Sequence, residues 1–288
     1  MLLTPDFIRE LEVLRRRLDT RARSGMRGEK VSPRRGASVE FLEHRAYAPM
    51  DDLRRIDWSA YARTGEPVLK VFRAEEDVVV RVLCDSSASM ACGTSPKLPV
   101  AQRLSAAIGY MALARSERAQ LCLARDGLMP GPPPSRGRAG LGGFLRSIES
   151  AEAGGKTDLA RAIGDLVKRA ARPGLLVVTS DFFDPGPVLT AAARAIMAGH
   201  ELVLLQLVSP EDIEPELDGD LALVDVETGA IVEVTVDGAA LAAYALRFAG
   251  LCEELRAFAR RHHATYVRAR TDEALEPVVR RVVARSID

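Results

Sequence analysis

The feature that most restricts this chain is a repeated exchange between two hydrophobic periods. Short apolar runs at residues 78–84, 118–125, 175–179, 201–208 and 265–269 alternate with stretches whose apolar residues recur at helical spacing, at 97–116, 141–148, 158–171, 188–198, 239–262 and 273–285. A run that is apolar at successive positions, such as Leu175-Leu176-Val177-Val178, suits a strand covered on both faces. Strands separated by helices of about 10 or more residues are joined by right-handed crossovers. The prediction is an α/β fold, a doubly wound, mostly parallel sheet with helices on both faces. One interval breaks the alternation. Residues 221–226 and 231–236 flank Glu227-Thr228-Gly229, which reads as a β-hairpin insertion at about 212–237.

Ahead of this pattern, Phe7, Ile8, Leu11, Leu14 and Leu18 recur at helical spacing among arginines, which reads as an amphipathic surface helix with a solvated charged face. Residues 24–36, rich in Gly, Arg and Pro, read as a connector. The expected organisation is an N-terminal helix and arm over residues 1–76 and the α/β domain over 77–288. With 288 residues and 47% hydrophobic content, the chain can bury a sizeable core. Its 40 basic and 40 acidic side chains cancel, so the field expected of a dedicated nucleic-acid binder is absent. The longest apolar runs fall far short of the roughly 18 residues that cross a bilayer, and the N-terminus lacks the basic and apolar regions of a signal peptide. A soluble, cytoplasmic chain with no membrane span is expected. Cys84, Cys92, Cys122 and Cys252 have irregular spacing and no C-x-x-C pair, so they read as reduced thiols in or near the core.

Chemistry concentrates at strand ends. Asp85-Ser86-Ser87-Ala88-Ser89 follows the first buried strand with the spacing D-x-S-x-S, so three side-chain oxygens at alternate positions can turn toward one point. One carboxylate with two neutral hydroxyls suits a hard divalent cation, with Mg²⁺ the expected ion and Mn²⁺ or Ca²⁺ the alternatives. Asp181 follows the strand at 175–179, and Thr157 precedes a helix in Gly154-Gly155-Lys156-Thr157. In a doubly wound sheet both would face the crevice outside the carboxyl ends of the strands. The candidate ligands are therefore Asp85, Ser87, Ser89, Thr157 and Asp181.

These residues resemble the metal-ion-dependent adhesion site of von Willebrand factor A domains, with its parts in the same order. Arg35-Gly36, Phe41, Arg45-Ala46-Tyr47, Asp51-Asp52, Arg54, Ile56-Asp57-Trp58 and Ala62-Arg63 are similar to the signature preceding that domain in the bacterial domain of unknown function 58 family. Asp225 to Gly229 is similar to that family's Asp-x-Glu-Thr-Gly segment, while Met50 stands where the family usually has Gly. The resemblance implies a non-enzymatic, metal-dependent protein-binding module. Its partner would present an acidic residue to the metal, and an adaptor role beside a MoxR-type AAA+ ATPase is implied. The chain has no G-x-x-x-x-G-K-[ST], so ATP hydrolysis would fall to the partner. The alternative is a metal-dependent hydrolase such as a phosphatase, with Asp85 as nucleophile. Ser87 stands where a D-x-D enzyme has its second carboxylate, which weighs against it. The mixed charges from Arg45 to Arg63 read as a structural ion-pair network that fixes the arm against the domain, around Tyr47, Ile56 and Trp58, apolar residues that need burial.

Overall fold

The computed structural model describes residues 2–25, 40–49, 51–73 and 78–284. In chain order the elements are α1 (Pro5–Gly25), β1 (Glu40–Ala46), α2 (Trp58–Thr64), β2 (Val68–Arg73), β3 (Val79–Asp85), α3 (Lys97–Ala114), β4 (Arg118–Ala124), β5 (Leu128–Pro130), β6 (Ser135–Arg136) and α4 (Leu141–Glu149). They continue with α5 (Leu159–Arg169), β7 (Leu175–Ser180), α6 (Pro185–Met197), β8 (Glu201–Val208), α7 (Pro210–Ile213), β9 (Gly219–Val224), β10 (Ile231–Val236), α8 (Gly238–His262), β11 (Thr265–Arg270) and α9 (Leu275–Ala284). Two compact units result, Met1–Ala22 with Val78–Asp288, and Arg23–Asp77. Residues 26–36 of the expected connector, and Met50, lie outside the described residues.

In the larger unit a seven-stranded sheet has the order β11-β8-β7-β3-β4-β5, with β6 also pairing β4. The strands from β11 to β4 are parallel. Each divides its side chains between two faces by the strand's period of two. Val80, Val82 and Cys84 of β3 pack in a core with residues of α1, α3, α4 and α9, while Leu83 packs in a second core with α5, α6 and α8. Val203, Leu205 and Leu207 of β8 join the first core, and Leu202 and Leu204 the second. The doubly wound α/β architecture follows from that alternation. Cys84, Cys122 and Cys252 are buried free thiols, and among the described residues no helix is long and apolar enough to cross a membrane.

Beyond β4 the chain turns back at Asp126-Gly127, both at positive φ, and lays β5 and β6 antiparallel along β4, with a proline-rich loop between them. Pro130 is tolerated there because an edge strand has an unpaired side. The helix α1 is amphipathic as expected, with Asp6, Arg9, Glu10 and Arg16 exposed on its charged face. Leu3, Phe7, Leu11 and Leu14 are buried in the first core, and Glu12 accepts from Tyr110 Oη at 2.5 Å and from Arg138 Nη2 at 2.9 Å. Its packing places it with the α/β domain rather than with the arm.

The smaller unit is built on β1 paired antiparallel with β2. Asp57 caps α2, accepting from Ser59 N at 3.0 Å and Ala60 N at 3.1 Å, and lies 2.9 Å from His44 Nε2 and 3.5 Å from Lys70 Nζ. Arg45 pairs with Asp51 at 2.7 Å. These charges tie this unit's own hairpin, loop and helix. Ile56 is buried, but Trp58 is 61% exposed, edge-on to Tyr61, so the expectation that it needs burial does not hold.

Candidate functional site

Strands β3 and β7 are neighbours with Cys84 opposite Thr179, so Asp85 and the Ser180-Asp181 pair leave the sheet side by side at its carboxyl edge. The strand order reverses here, since the chain continues from β3 to β4 on one side and returns at β7 on the other. The Asp85 carboxylate is fully buried; its Oδ1 accepts from Ser87 N at 3.0 Å and its Oδ2 from Ser180 Oγ at 2.7 Å. The first contact is a turn in which an Asp side chain caps its own backbone two residues on, and it folds Ser87 back over the strand end. Ser87 Oγ then lies 3.0 Å from Ser89 Oγ. Three of the five predicted donors thus gather in one turn. Burial pushes the Asp85 carboxyl up to about 6, opposed by the hydrogen bonds from Ser180 and Ser87 and reinforced by the charge of Asp181.

The loop carrying Thr157 is stitched to that turn. Gly154 N donates to Ser86 O at 2.9 Å, and Ala88 N donates to Gly155 O at 3.2 Å. Asp126 holds Lys156 from both sides, donating its N–H to Lys156 O at 2.8 Å and accepting Lys156 N at 2.9 Å. Between these ties Gly155 takes φ 66, and a Cβ there would lie 2.3 Å from Asp126 Oδ2. Gly155→Ala is therefore expected to lose about 1–3 kcal/mol from left-handed strain and crowding. A urea midpoint unchanged from wild type would show that the loop is not held this way. Thr157 itself is exposed and gives N–H and Oγ1–H to the two carboxylate oxygens of Glu227, at 2.8 and 2.7 Å.

Asp181 is buried and already partnered. Lys97 Nζ, 3.0 Å from Asp181 Oδ2 and 2.9 Å from Asp212 Oδ2, is itself buried and sits 4.8 Å from the centroid of the Phe183 ring. Burial works against the Lys97 charge, yet the two carboxylates outweigh it and leave its pKa raised. For Asp181, burial raises the carboxyl and Lys97 opposes the rise. Among the described residues no three His, Cys, Asp or Glu side chains form a group that could hold a metal ion. A cation here would rest on hydroxyls as much as on carboxylates.

Sequence reasoning missed Lys97, Ser180, Asp212 and Glu227 as members of this cluster. One signal was present: Lys97 opens α3, where the helix macrodipole disfavours a cation, so a fixed anionic partner was called for.

A family model described as "Protein of unknown function DUF58" matches residues 43–250. Uncharacterized proteins of Mycobacterium bovis and Mycobacterium tuberculosis are each 34% identical over 210 residues, covering 71% of this chain. The chain spans 66% of the length of these curated relatives. Among solved structures, the conserved hypothetical protein BatB from Bacteroides thetaiotaomicron aligns over 72% of this chain and 98% of its own, with TM-score 0.49 and 16% identity. A von Willebrand factor type A protein from Catenulispora acidiphila aligns over 75% of this chain and 44% of its own, with TM-score 0.46 and 13% identity. Because the family model takes in most of the chain, from β1 into the long helix α8, the chain belongs to the DUF58 family.

Proposed function

We propose that this chain is a metal-dependent protein-binding module. In this reading Asp85, Ser87 and Ser89 hold a divalent cation, Mg²⁺ first and Mn²⁺ or Ca²⁺ as alternatives, with Thr157 and Asp181 completing its surroundings. The observation that carries the reading is the Asp85 carboxylate, fully buried beside two hydroxyls 3.0 Å apart, where the strand order reverses. A carboxylate so desolvated is relieved by a bound cation, and an all-oxygen donor set suits a hard one. The donors fit such an ion, although Asp181 shares its charge with Lys97 and Thr157 is engaged by Glu227.

A cation held by few charges keeps attraction for one more carboxylate, so the partner is a protein presenting Asp or Glu. The family resemblance suggests a MoxR-type AAA+ ATPase, with this chain as its adaptor in complex assembly or maturation. A D-x-D hydrolase would need a second carboxylate where this chain has Ser87, which favours binding over catalysis.

Ser87→Ala tests the reading. The variant is expected to stay folded, losing about 1–2 kcal/mol with the buried hydroxyl contact to Ser89, and to lose the protein that wild type retains from Mg²⁺-containing lysate, as wild type itself should in EDTA. An unchanged captured set under both treatments would place the binding surface elsewhere.

A further inference from the structure

The segment Asp225-Val226-Glu227-Thr228-Gly229 closes the β9–β10 hairpin, and almost every polar group in it is used to make the turn. Asp225 Oδ1 accepts from Glu227 N at 2.9 Å and its Oδ2 accepts from Thr228 Oγ1. Asp225 N donates to Ala230 O at 2.8 Å and Gly229 N to Asp225 O at 2.7 Å, with Gly229 at φ 72. The Glu227 carboxylate has no part in that construction. It leaves the turn and takes both donors of Thr157, 70 positions earlier in the chain.

We infer that Glu227 is a positioning residue of the cation site, which fixes Thr157 as a ligand and couples the β9–β10 hairpin to the cation. The inference rests on the metal reading above. Thr157 Oγ1 has a single proton, and Glu227 accepts it, so the oxygen's lone pairs remain available to an ion. A carboxylate accepting from a ligating group holds its orientation and raises its electron density, the effect that partners behind the primary ligands have at metal sites generally. Thr157 is exposed, so without this fork its side chain would be free to rotate. The hairpin has little other anchorage along its length: Leu223, Val224, Ile231 and Val232 are between 44% and 65% exposed. A tip lightly held elsewhere and bound to a ligand residue makes cation affinity and hairpin position reciprocal quantities.

The experiment uses Mn²⁺ alone as the probe, titrated by electron paramagnetic resonance into wild type, Glu227→Gln, Thr157→Ala and the double variant, with amide hydrogen exchange read at residues 225–229. Glu227→Gln is expected to weaken Mn²⁺ by about tenfold or more without moving the metal-free melting temperature. Added to Thr157→Ala, it should weaken Mn²⁺ by less than about twofold further, because the two residues act through one contact. Mn²⁺ should slow exchange at the hairpin tip in wild type and not in Glu227→Gln. If wild type binds Mn²⁺ and Glu227→Gln binds it as tightly or more tightly, the inference is overturned and the metal reading stands. If wild type takes up no Mn²⁺, both are overturned.

Discussion

Lys97→Met is expected to lower the stability of the metal-free protein by about 3–5 kcal/mol, the effect of removing one member of a buried ion cluster and leaving its partners uncompensated. Methionine keeps most of the stem volume, so packing changes little. What disappears is the ammonium between Asp181 and Asp212, at 3.0 and 2.9 Å. The folded pKa of Lys97 is raised, so its contribution is fully present below the unfolded value of 10.5 and is lost only as pH rises through the higher folded value. Urea unfolding near pH 7 in EDTA therefore measures the whole effect. Mg²⁺ should restore more stability to the variant than it adds to wild type, since the ion offsets the charge of Asp181 that the lysine no longer meets. A midpoint equal to that of wild type would show that the carboxylates are not held as a charged pair around Lys97.

Asp85→Asn is expected to act in the opposite direction. The wild-type carboxyl is pushed from 3.8 up to about 6, chiefly by burial, so the folded protein binds this proton more tightly than the unfolded chain. Its contribution to stability therefore falls as pH climbs from about 4 to about 6 and amounts to a deficit of about 3 kcal/mol near pH 7. Asparagine is isosteric and uncharged, and Ser180 can turn its hydroxyl to accept where it now donates. The metal-free variant should be the more stable protein near pH 7, with the difference shrinking toward pH 4. Carboxylates whose folded pKa is lowered, Glu12 and Asp225 among them, cancel in that comparison. A variant less stable than wild type near pH 7 would mean that the Asp85 charge is already compensated in the metal-free fold.

The parallel strands were legible because each is covered on both faces, and β8 falls at the 201–208 expected from its apolar run. The antiparallel edge was not, because β5 has 3 residues and β6 has 2, too few to show a period. The stripe on α1 announced a buried face but not its partner, since Leu11 and Leu14 meet a core assembled from distant helices. At the site, the turn from Asp85 to Ser89 was legible because its geometry is local: an Asp side chain accepting a backbone N–H two residues on. The grip of Lys97 on Asp181 spans 84 positions, and no spacing rule records it. The contact between Thr157 and Glu227 was hidden in the same way, although both residues stood in segments that drew attention, one as a ligand and the other as part of a hairpin turn.

Direct titration of Mn²⁺ into wild type and Asp85→Asn near pH 7, followed by electron paramagnetic resonance, bears on the metal site itself. Wild type should bind a single Mn²⁺ that Mg²⁺ displaces, and Asp85→Asn should bind none while unfolding at a higher urea concentration than metal-free wild type. Equal Mn²⁺ binding by the two proteins, or no binding by wild type at millimolar metal, would contradict a cation site built on Asp85.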